Sequence, residues 1–228
     1  MARPAAVFFD VDFTLIHPGP RFQAVGYHET CARYGIDVDQ ARFDAAVAAA
    51  GSALDSSDEL YDARLYIEYT RRIIEGMGGR GPRLTEVAEE IYEEWAHNHH
   101  FTLYDDVPDT LRALVNRGVR LGLISNSHRC LESFQTHFDI EGLISVTVSS
   151  IDHGVLKPSP RIFTTALELM QVRAADAVMV GDSLSQDVAG ARRVGMRGIL
   201  LVRGGGDVSA DPDVAVIRSL AELPDLLT

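Results

Sequence analysis

The chain has 228 residues, 46% of them hydrophobic, enough to close one large domain or a core domain with a smaller companion. Its formal net charge of -12 argues against binding nucleic acid or anionic membranes, both of which call for basic surface. Cys31 and Cys130 form no metal-spaced pair, and no apolar stretch is long enough for a signal peptide or a membrane span, so the expectation is a reduced cytoplasmic protein.

The first predicted element is a strand over Val7–Val11, inside Ala6-Val7-Phe8-Phe9-Asp10-Val11-Asp12-Phe13-Thr14. Charged side chains are rarely buried unless paired or bound to a metal, so two aspartates ending so apolar a strand point to a site rather than a core. From about residue 20 to 100 no strand is legible. Helical spacing instead predicts helices over 21–34, 40–50, 58–75 and 84–97. Leu60, Ala63, Ile67 and Ile74 line the apolar side of the third; Leu84, Val87, Ala88, Ile91 and Trp95 line that of the fourth. Gly76-Met77-Gly78-Gly79 interrupts them. This reads as a small helical bundle inserted after the first strand, with the chain crossing near Pro18-Gly19-Pro20 and again near Tyr104-Asp105-Asp106. Such an insertion would lie over the strand ends, where open parallel sheets bind ligands. Arg64, Arg71 and Arg72 read as the polar face of a helix. His97, His99 and His100 read as solvated histidines with no acidic or cysteine partner at ligand spacing.

From Val107 onward strands and helices alternate. Helices are predicted over 108–117, 129–138, 160–170 and 187–194, and strands over 119–124, 143–148, 177–180 and 198–202. Ser159 stands at the N-cap of the third of these helices and Pro160 opens it; its apolar face is Ile162, Phe163, Ala166, Leu167 and Met170. The alternation predicts an α/β fold with a parallel sheet covered on both faces, Val7–Val11 being its first strand. Arg203-Gly204-Gly205-Gly206-Asp207 follows the last strand without a Walker lysine or an adjacent helix, and reads as a flexible surface loop.

Lysine occurs once. Of 21 basic residues 20 are Arg, and Lys157 stands alone in Gly154-Val155-Leu156-Lys157-Pro158-Ser159-Pro160. The two residue types differ most where a compact point charge is wanted. Polar groups also follow four strands that a parallel sheet brings to one edge: Asp10, Asp12 and Thr14; Ser125 and Asn126; Lys157, somewhat past the strand that ends near Val148; and Asp182 with Asp187 beyond. A phosphoryl dianion would be repelled by these carboxylates unless a divalent ion lay among them, and oxygen ligands suit Mg²⁺. The bland alternative, Asp182 and Asp187 merely favouring a helix N-terminus, explains one of the clusters and leaves the others to coincidence.

In these four stretches the sequence resembles phosphohydrolases of the haloacid dehalogenase (HAD) superfamily, and the helical insertion is similar to their type 1 cap, as in subfamily IA. The resemblance implies a Rossmann-like parallel sheet core, the HAD fold, made of residues 1–18 and 104–228, with a mobile α-helical cap over 19–103. It implies a Mg²⁺-dependent phosphatase that hydrolyses a small phosphorylated metabolite through an aspartyl-phosphate intermediate. Asp10 would be the nucleophile and Asp12 the general acid and base. Ser125 and the backbone amide of Asn126 would hold phosphate oxygens, and Lys157 would bridge nucleophile and phosphoryl group. Asp10, Asp182 and the backbone carbonyl of Asp12 would bind Mg²⁺, Asp187 would support them from behind, and Thr14 would fix the loop. Phe13 departs from the motif, which commonly has glycine there, and reads as altered packing. Dehalogenases of the superfamily lack the second aspartate, which is present here as Asp12, and phosphonatases need a cap lysine, which is absent. A sugar phosphate mutase, which keeps all four motifs, and a non-catalytic binding protein on the same fold are the alternatives. The sequence names neither the substrate nor the oligomeric state, and it leaves selectivity to the cap and to the vicinity of His128 and Arg129.

Overall fold

Ala6-Val7-Phe8-Phe9 forms the first strand, β1, and all of its residues are fully buried, as an uninterrupted apolar run requires when strands flank it on both sides. The computed structural model describes residues 3–54, 60–204 and 213–227. The chain divides into two units, Met1–His17 with Leu103–Thr228, and Pro18–Thr102.

Along the chain the further strands are β2 (Ile16–Pro18), β3 (Phe101–Leu103), β4 (Arg120–Ser125), β5 (Ile144–Ser149), β6 (Ala177–Gly181), β7 (Arg197–Leu201) and β8 (Ala215–Ile217). The main sheet has the order β5-β4-β1-β6-β7-β8, and every neighbouring pair is parallel. The chain winds from β1 out through β4 to β5, then returns to the opposite side of β1 for β6, β7 and β8. Ligands of open parallel sheets bind at the carboxyl ends of the strands, next to such a reversal. Phe9 pairs with Leu123 of β4 and Val180 of β6, so Asp10, Ser125 and Asp182 leave three adjacent strands at one edge.

β1 is shorter than the expected Val7–Val11. The Asp10 amide still donates to the Val180 carbonyl, but the Val11 carbonyl accepts from the amides of Leu15 and Ile16, which turns the chain out of the sheet. β8 had no counterpart in the sequence reading, being only 3 residues long. Three of the four helices predicted beside this sheet follow expectation to within two residues: α5 (Val107–Asn116), α6 (Leu131–His137) and α8 (Pro160–Met170). The short α7 (Ser150–His153) was not foreseen. The stretch 187–194 begins earlier, as a π-turn over Leu184–Val188, and continues as α9 (Ala189–Arg193); α10 (Leu223–Leu226) is one turn near the end. On α8 the buried residues are the five predicted from spacing, and they join Phe8, Ile124 and Met179 in one apolar cluster. Burial of a side chain such as Phe163 contributes about 2 kcal/mol. Ser159 holds the N-cap position, yet its side chain makes no capping bond; Pro160, with no N–H to satisfy, does the opening.

In the helical unit each predicted helix is trimmed at an end. Residues 21–34 are a 3₁₀ turn (Pro20–Phe22) followed by α1 (Ala24–Arg33), and 40–50 are a 3₁₀ turn (Gln40–Arg42) followed by α2 (Phe43–Ala50). The third is α3 (Ala63–Gly76), opened by the Asp62 carboxylate accepting from the Arg64 amide; its expected beginning at 58 and 59 lies outside the described residues. Leu60 therefore precedes the helix and is 57% exposed, and the buried face is Thr70, Ile73 and Ile74. The fourth, α4 (Leu84–Glu94), stops before 97 because the amides of Trp95, Ala96 and His97 turn back to carbonyls three residues behind. Val87, Ala88 and Ile91 are its buried residues. The histidines beyond it correct the sequence reading: Glu94 lies within reach of both His97 and His100. Arg71 and Arg72 pair with Glu68 and Glu75 along α3, as the polar face of that helix. β2 and β3 form a second, two-stranded sheet where the chain leaves the first unit and where it returns. Among the described residues no helix is long and apolar enough to cross a membrane.

Candidate active site

Lys157 and Asp10 lie 147 residues apart in sequence, and the sheet brings the Lys157 ammonium 2.6 Å from Asp10 Oδ1. The same nitrogen is 2.7 Å from Asp187 Oδ1, and the side chains of Lys157 and Asp187 are each only 1% exposed. Burial alone would push the ammonium towards neutrality, but the charges of Asp10 and Asp187 outweigh it and hold Lys157 above the ordinary lysine range. A planar guanidinium would fit this pocket poorly, which gives the single lysine of the chain a physical reason.

Asp187 uses both oxygens: Oδ1 meets Lys157, and Oδ2 accepts from the Ser183 amide at 3.0 Å. This closeness depends on Gly181, since a Cβ there would stand 2.2 Å from Asp187 Oδ2. Asp10, Asp182 and Asp187 bring carboxylate oxygens within 4.8 Å of one another. One ammonium cannot balance three carboxylates. Burial raises Asp10, with Lys157 pulling the other way; burial and then the charge of Asp10 raise Asp187 to about 6, against the pull of Lys157. Asp182 is pushed up to about 8, first by withdrawal from water and then by the charges of Asp10 and Asp187. Such a surplus of close oxygen anions fits a divalent cation with a preference for oxygen.

Ser125, at the end of β4, is 1% exposed, and its hydroxyl has no hydrogen-bond partner among the described residues. The same holds for the hydroxyl of fully buried Thr14. The Thr14 carbonyl accepts from both Nε and Nη2 of Arg203. Arg203 also binds Asp106 through two nitrogens and lies 3.6 Å over the Tyr104 ring, so the expected flexible surface loop begins with an anchored residue; Gly205, Gly206 and Asp207 fall outside the described residues.

Three features escaped the sequence reading. The Asn126 side chain brackets Lys157, accepting from its amide at 2.7 Å and donating to its carbonyl at 3.0 Å, so it fixes the backbone that carries the ammonium. Arg129, assigned to selectivity, is fully buried and donates from Nη1 to Asp12 Oδ1 at 3.0 Å. Only a fully buried guanidinium marks it out, and burial is not legible in a chain with 20 arginines. Phe13 is the third: it is not packed into the core but 45% exposed, with φ +62°. A residue in the left-handed region explains why glycine suits this position.

The chain is similar to known proteins. Over 144 residues the chain is 36% identical to the Haloacid dehalogenase-like hydrolase domain-containing protein 3 of Homo sapiens, a match covering 60% of this chain and 56% of that protein. The chain thus spans a little over half the length of that relative. It is 28% identical over 210 residues to the Glyceraldehyde 3-phosphate phosphatase of Pyrococcus furiosus, covering 86% of this chain and 80% of that one. The crystal structure of a HAD phosphatase from Thermococcus onnurineus superposes with a TM-score of 0.67 at 26% identity, covering 100% of this chain and 98% of the other. The sequence model of the haloacid dehalogenase-like hydrolases matches residues 4–195, and the chain belongs to that family.

Proposed function

We propose that the protein is a Mg²⁺-dependent phosphatase acting on a small phosphorylated metabolite through an aspartyl-phosphate on Asp10. The observation that carries this reading is the single buried ammonium of Lys157, held between Asp10 and Asp187, with the hydroxyl of Ser125, unpartnered among the described residues, at the same sheet edge. A phosphoryl group at this edge meets one compact cation and one free donor next to a carboxylate. The Pyrococcus furiosus relative, named for hydrolysis of a small sugar phosphate, supports the substrate class.

In the proposed reaction a carboxylate oxygen of Asp10 attacks phosphorus while the bond from phosphorus to the substrate oxygen breaks. Asp12 gives its proton to the departing alkoxide, then takes one from the water that splits the aspartyl-phosphate, which releases inorganic phosphate and frees Asp10. Arg129 orients Asp12 for both transfers. Lys157, Ser125 and the Asn126 amide hold the phosphoryl oxygens, and Asn126 positions Lys157 through its side chain. Asp10, Asp182 and the Asp12 carbonyl would hold Mg²⁺, with Asp187 in support, and the ion supplies charge neutralisation for the phosphoryl group. Residues 19–103 serve as the cap that selects the substrate. Asp12 separates this reading from dehalogenation, which needs no acid for a halide.

The test is release of inorganic phosphate from a panel of phosphorylated metabolites, with Mg²⁺ or with EDTA, for the wild type and Asp10→Asn. The expected result is Mg²⁺-dependent release that falls at least about a thousandfold in the variant, while its circular dichroism stays native. Comparable turnover in Asp10→Asn would remove Asp10 as nucleophile. No release from any ester would overturn the hydrolase reading.

A further inference from the structure

The helical unit gathers a carboxylate and two imidazoles just past α4. Glu94, His97 and His100 are spaced by three, but helical periodicity does not align them, since α4 ends at Glu94 and Asn98–His100 is a separate 3₁₀ turn. His97, extended at φ -87° and ψ 110°, redirects the chain and brings His100 back to the helix end. Glu94 Oε2 then lies 2.6 Å from His100 Nε2 and 3.6 Å from His97 Nδ1, and one ligand atom of each residue lies within 4.8 Å of the other two.

An ion bound at about 2.0–2.1 Å from such donors sets them roughly 3 Å apart. The contacts at 2.6 and 3.6 Å fall on either side of that value, so small side-chain rotations suffice. Two imidazoles and a carboxylate form a set that late first-row divalent ions prefer over Mg²⁺. The set is also held from behind. The His100 carbonyl accepts from the Gly19 amide at 2.7 Å, and its ring meets Phe22 edge-on at 5.6 Å. Phe22 in turn packs on Trp95 at 4.4 Å. The His100 side chain is 18% exposed and that of His97 54%, which leaves an open side for water.

Two other groups face the cluster. Arg21 Nε is 3.9 Å from Glu94 Oε2, but that guanidinium is engaged by Glu90 and Thr30 at 2.9 and 2.6 Å. The His99 ring lies 4.0 Å from that of His100. Partial burial would raise Glu94, yet the His100 bond and the charge of Arg21 more than offset it and keep the carboxylate ionised, the form a metal needs.

We propose that Glu94, His97 and His100 form a second metal site, for Zn²⁺ with water completing its shell, distinct from the acidic cluster at the strand ends. Three protein ligands of this kind and an open position are a known zinc arrangement. The ion would clip the end of α4 to the turn that leads into Phe101.

Zn²⁺ titrated calorimetrically into the 228-residue chain in saturating Mg²⁺ tests this, alongside the absorption spectrum of Co²⁺ as a probe of imidazole ligation. One high-affinity Zn²⁺ per chain is expected, weakened at least about tenfold in His97→Ala and in Glu94→Gln. The same binding should persist in Asp182→Asn and in His99→Ala. His97 is exposed, so its variant should keep the native circular dichroism. Unchanged affinity in His97→Ala, loss confined to Asp182→Asn, or no saturable binding would each overturn the proposal.

Discussion

Lys157 and Arg71 each stand between two carboxylates, and the resemblance ends there. Lys157 meets Asp10 and Asp187 at 2.6 and 2.7 Å with its side chain 1% exposed. Arg71 meets Glu68 and Glu75 at 2.8 and 2.5 Å, but with 32% of its side chain in solvent. Arg71 needs only α3, because its partners are three and four residues away. Lys157 needs the whole sheet, because its partners come from the end of β1 and from the π-turn that follows β6. The lesson concerns dependence on water. A surface ion pair adds little to what solvation already gives each charge, whereas a buried one leaves its partners stranded when it is broken.

The largest expected effect comes from breaking the buried cluster. Lys157→Met would leave Asp10 and Asp187 facing each other without a counter-charge, at a cost of about 3–5 kcal/mol. This would show as a lower urea midpoint at unchanged m-value, with phosphate release at background. Lys157→Arg should recover part of the stability and little of the activity, since the fork replaces a point charge badly. Wild-type turnover in Lys157→Arg, or a midpoint for Lys157→Met no lower than that of an Arg71 variant, would break the comparison.

Next in size is Gly181→Ala. The added methyl would stand 2.2 Å from Asp187 Oδ2 and 2.3 Å from its Cγ, so Asp187 would have to leave Lys157 or the Ser183 amide. Displacing a group that supports others from behind typically costs about 10–100-fold. That loss should appear in kcat for phosphate release, with the protein still folded by circular dichroism. An unchanged kcat would show that the ammonium does not depend on Asp187 for its position.

What the sequence revealed follows the same division. Strand ends of a parallel sheet share an edge by topology, so Asp10, Ser125 and Asp182 could be placed on one edge from the order of elements alone. The apolar face of α8 was equally legible, because Ile162, Phe163, Ala166, Leu167 and Met170 repeat at the helical period. Arg129 was not legible, since nothing local distinguishes a buried guanidinium from the other arginines. The left-handed backbone at Phe13 was hidden for a related reason: the residue present is not one that favours it. β2 and β3, with 3 residues each, exist through pairing with each other rather than through any pattern of their own. The Glu94, His97 and His100 cluster is hidden because the helical spacing runs on to 97, and only the early end of α4 folds His100 back.

A smaller effect, of the pH kind, sharpens the contrast from the side of the acids. Burial and mutual repulsion lift Asp187 to about 6 and Asp182 to about 8, both above their ordinary 3.8. Folding therefore takes up protons, so the stability these groups allow is complete below their ordinary 3.8 and is lost as pH rises through about 6 and about 8. The thermal midpoint of EDTA-treated protein is expected to fall by a few degrees between pH 5 and 8. Saturating Mg²⁺ should flatten that slope, because the cation takes the place of the protons. A midpoint indifferent to both pH and Mg²⁺ would deny that the carboxylates at the strand ends share one crowded site.

The smallest effect belongs to Arg71→Ala. The expected loss is below about 1 kcal/mol, shrinking further in high salt, because exposed pairs at this spacing are worth only a few tenths each. KM for the best phosphate ester should not move, since the guanidinium is engaged along its own helix by Glu68 and Glu75. A raised KM at unchanged stability would instead make Arg71 a contact for the anionic substrate. The physical ground for expecting the small outcome lies in the carboxylates. The side chains of Glu68 and Glu75 are 36% and 35% exposed, so each rehydrates when the arginine is gone. Asp10 and Asp187, with side chains 9% and 1% exposed, have no such recourse. That access to water, rather than the number of ion pairs, is what separates a few tenths of a kcal/mol from several.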